Sequence, residues 1–415
     1  MIAEPASPGS TAPGRTGSVA IVSDYFLDYV GGAQTSMREQ KLALERAGHR
    51  VVRVSPVHGP GRRVRRSADG ILIRPFFTLP GVRLAVIPNS EKTRRTLRLF
   101  FERERVEVVH VQTEFGLAHA AADVAAELGI PVVHTVHTFY WASDDNWNAP
   151  LEPFIRWALN KALATTLPRQ SITPRPVDNL LRNMVLQFAL RADAVISPSA
   201  HQARDLEAAG VRAPIAIVPN PITTSPRPPL PLPVGEPPRL LWVARCEGVK
   251  RPLIFAAAAV LALARTGNGF SVDFVGDGSQ RAALQRLVLG HPQLRVQGSL
   301  PHDAVLDLMD AASVVVLSSV GFDNQPMTIA EAVSRERAIL YCDPKLREGL
   351  LHAGYLADNP DVSGLADAIV DLVERPEKLR ELSAGAALDG EQFSGERYVE
   401  GALAAFELAR SRLRE

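Results

Sequence analysis

Short apolar runs alternate along this chain with longer stretches of helical period, and that alternation restricts the fold more than any other feature. In the first half the runs are "SVAIVSD", "HRVVRVSP", "VEVVHVQ", "IPVVHTVH" and "DAVISPS". Between them lie "SMREQKLALERAG" and "LAHAAADVAAELG", each closed by a glycine able to take the left-handed cap position. This is the pattern of parallel α/β sheets. It breaks at "PNPITTSPRPPLPLPVGEPPR", where nine prolines fall between Pro219 and Pro238. No helix or central strand tolerates that density, so the segment reads as a stiff or wrapped connection. The alternation then restarts with "RLLWVAR", "SVDFVGDG", "LRVQGSL", "SVVVLSS" and "AILYCD". We therefore expect two doubly wound parallel-sheet domains, Rossmann-like and facing across a cleft. The first spans 18–218 with a helical insertion at about 140–190, the linker 219–238 and the second domain 239–390. A C-terminal helical segment, 391–415, is expected to pack back towards the first domain.

Composition narrows the function classes. A chain of 415 residues exceeds one ordinary core. Its formal net charge of +1 gives no overall attraction to nucleic acid. Cys246 and Cys342 are its two cysteines, too few for a disulfide framework or a zinc site. The opening stretch 1–17 is polar and rich in Pro, Gly and Ser, without the apolar core of a signal peptide, and is expected to be a disordered tail. The longest apolar run, "LIFAAAAVLALA", is about half of the roughly 20 residues that cross a bilayer. The expected location is the cytoplasm, or the inner face of the membrane.

Open α/β sheets bind ligands beyond the carboxyl ends of their strands, and the informative residues sit there. Gly31 and Gly32 follow the first strand at a turn into a helix, where backbone N–H groups can approach an anion. Any strand-to-helix turn can use glycine, but this spacing is not the G-x-G-x-x-G of nicotinamide enzymes. His137 ends the strand "PVVHTV", followed by Tyr140 and Trp141, aromatics suited to a sugar or lipid platform. His110 and His134 lie within strands and read as structural. Arg245 and Lys250 follow the first strand of the second half; two cations beside a cleft suit a diphosphate, while the pair taken alone reads equally as a solvated surface. The turn after "SVVVLSS" carries Asp323, Asn324 and Gln325, with Glu331 eight residues beyond the aspartate. Polar groups in a buried turn are either tied up locally or awaiting a ligand.

Taken in order, "GGAQ", "HTVHT", "RCEGVK", "FVGDG" and the Asp323–Glu331 pair resemble the GT-B glycosyltransferases of the retaining family 4 type, from Ser18 to about Gly390. The resemblance implies transfer of a sugar from a UDP-sugar or GDP-sugar to a glycan, lipid or small-molecule hydroxyl, with no metal and no other cofactor. No D-x-D triplet follows a strand to hold a metal. It implies catalytic roles for His137, Asp323, Arg245 and Lys250. It implies donor contacts from Gly31, Gly32, Arg245, Lys250, Asn324, Gln325, Pro326, Met327 and Glu331, with Tyr140 and Trp141 on the acceptor side. The chain departs from the pattern in four places. Asp323 replaces the first glutamate of E-x7-E, "DNQP" replaces "EGFG", "RERAIL" replaces "CGTPVV", and "PNPI" replaces "PNG" at the linker. Pro326 has no N–H to offer a phosphate. A nucleotide-sugar-binding partner protein whose catalytic site has decayed is the alternative reading.

From Glu152 to Arg191 the insertion carries six basic and two acidic residues among apolar and aromatic ones, including Phe154 and Trp157, with Trp147 just before it. It reads either as a helical subdomain packed on the first domain or as a wall that docks on an anionic membrane. For the latter, Arg156, Lys161 and Arg169 are the candidates for the charged face.

Overall fold

A computed structural model describes residues 18–28, 31–59, 62–79, 84–142, 149–223, 230–232 and 236–414. The expected tail 1–17, Trp147 and the middle of the proline-rich segment lie outside the described residues.

The first half contains strands β1 (Ser18–Val22), β2 (Val51–Pro56), β3 (Val64–Ser67), β4 (Gly70–Ile73), β5 (Phe77–Leu79), β6 (Leu84–Val86), β7 (Val106–Val111), β8 (Val132–Thr135), β9 (Ala194–Ser197) and β10 (Ile215–Ile217). Its helices are α1 (Gly32–Arg46), α2 (Glu91–Glu104), α3 (Gly116–Leu128), α4 (Glu152–Leu163), α5 (Pro176–Arg191) and α6 (Ala200–Ala208). Eight of these strands form one sheet in the order β10-β9-β8-β7-β1-β2-β4-β3, parallel except for β3 against β4. The central strand β1 is buried at every residue. Its Ala20 and Val22 pack with Leu117 and Val124 of α3 on one face. On the other face Val19 and Ile21 meet Ala43 and Leu44 of α1. Burial on both faces explains why these strands read as apolar runs without alternation.

The second half contains β11 (Arg239–Val243), β12 (Ser271–Val275), β13 (Leu294–Gly298), β14 (Val314–Leu317), β15 (Ala338–Tyr341) and β16 (Gly354–Leu356). They pair in parallel in the order β13-β12-β11-β14-β15-β16. Helices α7 (Pro252–Thr266), α8 (Arg281–Leu287), α9 (His302–Ala311), α10 (Met327–Ser334), α11 (Val362–Glu374) and α12 (Pro376–Gly390) cover its faces. The chain ends in α13 (Gly395–Arg414), which lays Tyr398, Ala402, Ala405, Phe406 and Ala409 against Val19, Ile21, Val108, Val133 and Ile196 of the first sheet. Both halves are thereby tied together covalently and by packing.

The ribbons β3–β4 and β5–β6 were not anticipated, because each strand has three or four residues and β3, "VRRS", is partly exposed and charged. Within the insertion, Leu163, Leu167, Leu180 and Met184 pack with Phe115 into one apolar cluster. Arg156, expected on a charged outer face, is instead 8% exposed. It donates to Glu152 Oε1 at 2.7 Å and to the Pro168 carbonyl at 2.8 Å, so it ties α4 to the following loop. Lys161 and Arg169 are exposed.

The stretch "RERAIL" has a structural explanation. Arg335 is buried and bidentate with Asp310 at the end of α9, with Nε–Oδ1 2.7 Å and Nη2–Oδ2 2.6 Å. Arg337, also buried, donates to the carbonyls of Met309, Asp310 and Leu230. Glu336 between them takes a left-handed φ of 54°, a conformation that costs a side-chain-bearing residue roughly 1–2 kcal/mol. The paired arginines hold that turn closed. Removing one partner leaves the other charge buried, so Asp310→Ala or Arg335→Ala is expected to destabilise the fold by about 3–5 kcal/mol in chemical denaturation. A loss near zero in both would show that the pair is dispensable.

Candidate active site

In each sheet the chain reverses direction beside its first strand. β1 lies between β2 and β7, and β11 lies between β12 and β14. The crevice beyond such a reversal is where open α/β sheets take ligands, and the candidate residues flank both of them.

On the second domain, Arg245 and Lys250 follow β11. The turn that carries them is fixed from both sides. Gly276 and Gly278, at φ 139° and 156°, lie against the backbone of Ala244 and Cys246, where an added Cβ would stand 1.8 and 2.7 Å from their carbonyl oxygens. The Ser318 hydroxyl accepts from Trp242 Nε1 at 2.9 Å and donates to the Lys250 carbonyl at 2.6 Å. Lys250 Nζ forms an ion pair with Asp323 Oδ1 and lies 5.0 Å from the centre of the Phe322 ring. The other Asp323 oxygen accepts from Ser319. Arg245 is exposed. Its positive charge acts across the cleft on Tyr25, whose phenol is nonetheless pushed up by burial and by Glu114 and Asp24.

The next two residues of the turn cross to the first half. Asn324 accepts from the Ser199 hydroxyl and donates to the Val136 carbonyl at 3.3 Å. Gln325 accepts from the Asn220 N–H at 2.6 Å and donates to the Asn220 carbonyl at 3.3 Å. Their side chains thus have protein partners, which leaves backbone N–H groups as what this turn offers a ligand. Pro326 caps α10 and Met327 begins it. A Cβ added at Gly32 would come within 4.0 Å of the Met327 side chain, so the glycine turn and the start of α10 face each other. Glu331 lies one helical turn further along, 9% exposed, with His302 Nε2 4.0 Å from its Oε1.

On the first domain, His137 is half-buried beyond β8, with Nε2 2.6 Å from Gln112 Oε1. Tyr140, expected on an open aromatic platform, is 5% exposed. Its hydroxyl donates to Asp205 at 2.6 Å and its ring packs beside Phe139, so it serves the core. Trp141 is partly buried between two apolar clusters. Sequence reasoning missed the polar run Gln112-Thr113-Glu114 after β7 and Asp24 after β1. Asp24 accepts from the N–H groups of Leu117 and Ala118, at 2.8 and 3.2 Å, and from Thr113. Glu114 meets His134 Nε2 at 3.1 Å. The available signal was the one that drew notice to 323–325: several polar residues directly after a buried strand.

Burial sets the charge state of this centre. It pushes Glu114 up to about 8. It pushes Asp24 up to about 6 against its hydrogen bonds. Burial, with the Glu39 carboxylate nearby, pushes Glu331 up to about 7. Burial and the neighbouring His134 push His137 down to about 3. Among the described residues no group of three His, Cys, Asp or Glu side chains stands ready to hold a metal.

Two Rossmann-like domains that direct their strand ends at each other define the GT-B class of fold. Residues 30–226 match the model for Glycosyltransferase Family 4, and residues 237–375 match that for Glycosyl transferases group 1. The chain belongs to the GT-B glycosyltransferases of the group 1 type. Sucrose-phosphate synthase from Thermosynechococcus elongatus superposes with a TM-score of 0.67 at 18% identity, covering 95% of this chain and 100% of that one. HepE of Anabaena in complex with UDP-glucose gives 0.63 at 16% identity, covering 93% and 98%. One component of the human phosphatidylinositol N-acetylglucosaminyltransferase is 31% identical over 148 residues, 33% of this chain and 29% of that protein. Alpha-monoglucosyldiacylglycerol synthase of Streptococcus pneumoniae is 32% identical over 126 residues, 29% of this chain and 27% of that protein. The matched region thus spans less than a third of either curated relative.

The raised carboxyls carry a sign. Glu331 titrates near 7 when folded against 4.5 ordinarily, so its protonated form is the one the fold favours. The stability it lends is complete below about pH 4.5 and is lost as pH rises through 7, a change of about 3 kcal/mol at most. Glu331→Gln should therefore raise the melting temperature more at pH ~8 than at pH ~5. Scanning calorimetry at both values checks this, and an equal gain at both would contradict it.

Proposed function

We propose that this protein is a retaining glycosyltransferase that moves a sugar from a nucleoside diphosphate sugar to a hydroxyl of a lipid-borne acceptor. The observation that carries the reading is the Lys250–Asp323 pair at the reversal point of the second sheet, with exposed Arg245 on the same β11 turn and the following residues of the Asp323 turn reaching Val136, next to His137, and Gly32. The bond from the anomeric carbon to the diphosphate oxygen breaks. The acceptor oxygen bonds to that carbon on the same face and passes its proton to a leaving-phosphate oxygen. Arg245 and Lys250 stabilise the charge that grows on the diphosphate. Donor entry releases Lys250 from Asp323, which frees the carboxylate for sugar hydroxyls. Glu331 holds the ribose hydroxyls, and neutral His137 orients the sugar. In this reading Arg245 and Lys250 take the part that a metal ion would otherwise have at the diphosphate.

Two observations support a lipid acceptor. The names of the curated relatives designate lipid glycosylation. In addition, α4 presents Phe154 and Trp157, 66% and 58% exposed and stacked at 5.9 Å, beside exposed Lys161. Phe76, 84% exposed, precedes the β5–β6 ribbon, whose Leu84 joins the apolar cluster beneath α4. Aromatic and basic side chains on one surface suit an anionic bilayer. The second reading, a non-catalytic nucleotide-sugar binder, is favoured by the Lys250–Asp323 pair and by the engaged side chains of Asn324 and Gln325.

A screen of UDP-sugars and GDP-sugars against diacylglycerol and phosphatidylinositol acceptors, read as released diphosphate, separates the two. Binding by calorimetry without turnover would select the binder. With turnover established, Lys250→Ala and Arg245→Ala are each expected to lower kcat by about 10²–10³-fold, or roughly 2.7–4 kcal/mol of barrier, with the melting temperature of Arg245→Ala near wild type and that of Lys250→Ala lowered by the unpaired Asp323 carboxylate. Activity near normal in both would remove the assignment. Phe154→Ser combined with Trp157→Ser should abolish salt-sensitive cosedimentation with phosphatidylserine vesicles, and wild-type protein that stays in the supernatant would remove the membrane.

A further inference from the structure

Beneath His137 runs a line of polar contacts that the transfer reaction above does not use. Gln112 leaves the end of β7 and is 1% exposed. Its amide oxygen stands 2.6 Å from His137 Nε2, and its amide nitrogen 3.1 Å from His110 Nε2. Thr135 Oγ1 is 2.7 Å from the same His110 nitrogen. A carboxamide oxygen only accepts and a carboxamide nitrogen only donates. With the amide in this orientation, His137 carries its proton on Nε2 and His110 presents a bare Nε2 to both Gln112 and Thr135.

A neutral His110 must then bear its proton on Nδ1, and that atom is buried without a partner among the described residues. The ring is neutral because burial, followed by His137 and His134, pushes it down to about 3. Phe406 of α13 meets the His110 ring edge-on at 5.4 Å, so apolar packing closes this end of the line. An unpaired buried donor costs about 1–3 kcal/mol and is rare. Turning the Gln112 amide end over end would leave His110 with an unpaired lone pair in place of that N–H, and would move the His137 proton to Nδ1. In this structure the Gln112 amide oxygen faces His137 and its nitrogen faces His110, the orientation in which the line supports the Nε2–H form of His137.

We propose that Gln112 is a positioning residue for the transfer reaction. It locks His137 as the neutral Nε2–H tautomer, so that Nδ1 remains an acceptor for a substrate hydroxyl. This rests on the function proposed above, and the test keeps the two apart. The full chain is labelled with 15N-histidine, and the His137 signals are identified by their loss in His137→Asn. Long-range proton–nitrogen spectra are expected to show His137 neutral and protonated on Nε2 from pH ~5.5 to ~8. In Gln112→Leu the two tautomers should mix, and kcat should fall by about 10- to 100-fold while the donor KM changes little. Gln112→Glu, nearly isosteric, places a carboxylate on the ring. It should make His137 titrate within that range and add a limb to the pH–rate profile. If Gln112→Leu does not fold, this second variant decides the question by the same titration. Wild-type His137 protonated on Nδ1, or a Gln112→Leu enzyme with unchanged tautomer and kcat, would overturn the proposal. A wild-type protein with the predicted tautomer but no turnover with any donor would overturn the transferase reading and, with it, Gln112's part in a reaction.

Discussion

The turn after β14 is held by both halves of the molecule at once, and the geometry of the cleft depends on it. Asp323 is tied within its own domain to Lys250 and Ser319. Asn324 is tied to Ser199 and Val136, and Gln325 to Asn220. Asn220 is itself gripped by α1, where Ser36 Oγ and Gln40 Nε2 reach its side-chain oxygen at 2.5 and 3.0 Å. Three consecutive polar residues thus connect the first sheet, the start of the linker and the second sheet. Buried polar groups of this kind specify a geometry more than they stabilise it, because each is costly when left unpaired. His201–Glu348 at 2.9 Å and Lys345–Asp205 at 3.2 Å extend the same seam from α6 to the turn after β15.

This arrangement accounts for two of the departures from the family pattern. With a proline at 326, one backbone donor is lost, and α10 begins at Met327 facing the glycine turn. With an aspartate at 323, the side chain is held between Ser319 of its own turn and Lys250 of the turn after β11. The third departure, "RERAIL", lies at the far end of α10. There Arg335 and Arg337 lock the helix to the end of α9. The helix that carries Glu331 is therefore fixed at both ends, by the cleft-spanning turn at its start and by a buried ion pair at its finish.

How much of this was legible in the sequence follows from physical scale. The strands of both sheets were visible because burial on both faces makes them apolar throughout, as in β1 and β14. Arg245, Lys250 and the 323–331 segment were visible because polar residues directly after such strands stand out. The short ribbons β3–β6 were not, since strands of three or four half-exposed residues carry no usable period. The inward turn of Arg156 was hidden for a related reason: helical spacing gives a face, and cannot tell that the loop at Leu167 and Pro168 curls back to receive the guanidinium. Nor could spacing pair Gln112 with His137, which are joined through adjacent strands 25 residues apart.

The electrostatics of the centre follow from the same burial. Glu114 and Glu331 hold their protons near neutrality, and His110, His134 and His137 lack theirs. Groups that would ordinarily charge are thus held neutral, and the charges offered to an incoming ligand come from Arg245 and from Lys250 with its Asp323 partner. In a low-dielectric crevice a fixed cation acts more strongly than in water. In the proposed reaction a diphosphate entering there would compete with Asp323 for Lys250, and success at that exchange would release the carboxylate to face what the diphosphate carries. A protonated Glu331 can donate one hydrogen bond and accept another, whereas the ionised form only accepts. The proton it holds when the cleft is empty is therefore one that a pair of vicinal hydroxyls, both donating, would tend to expel.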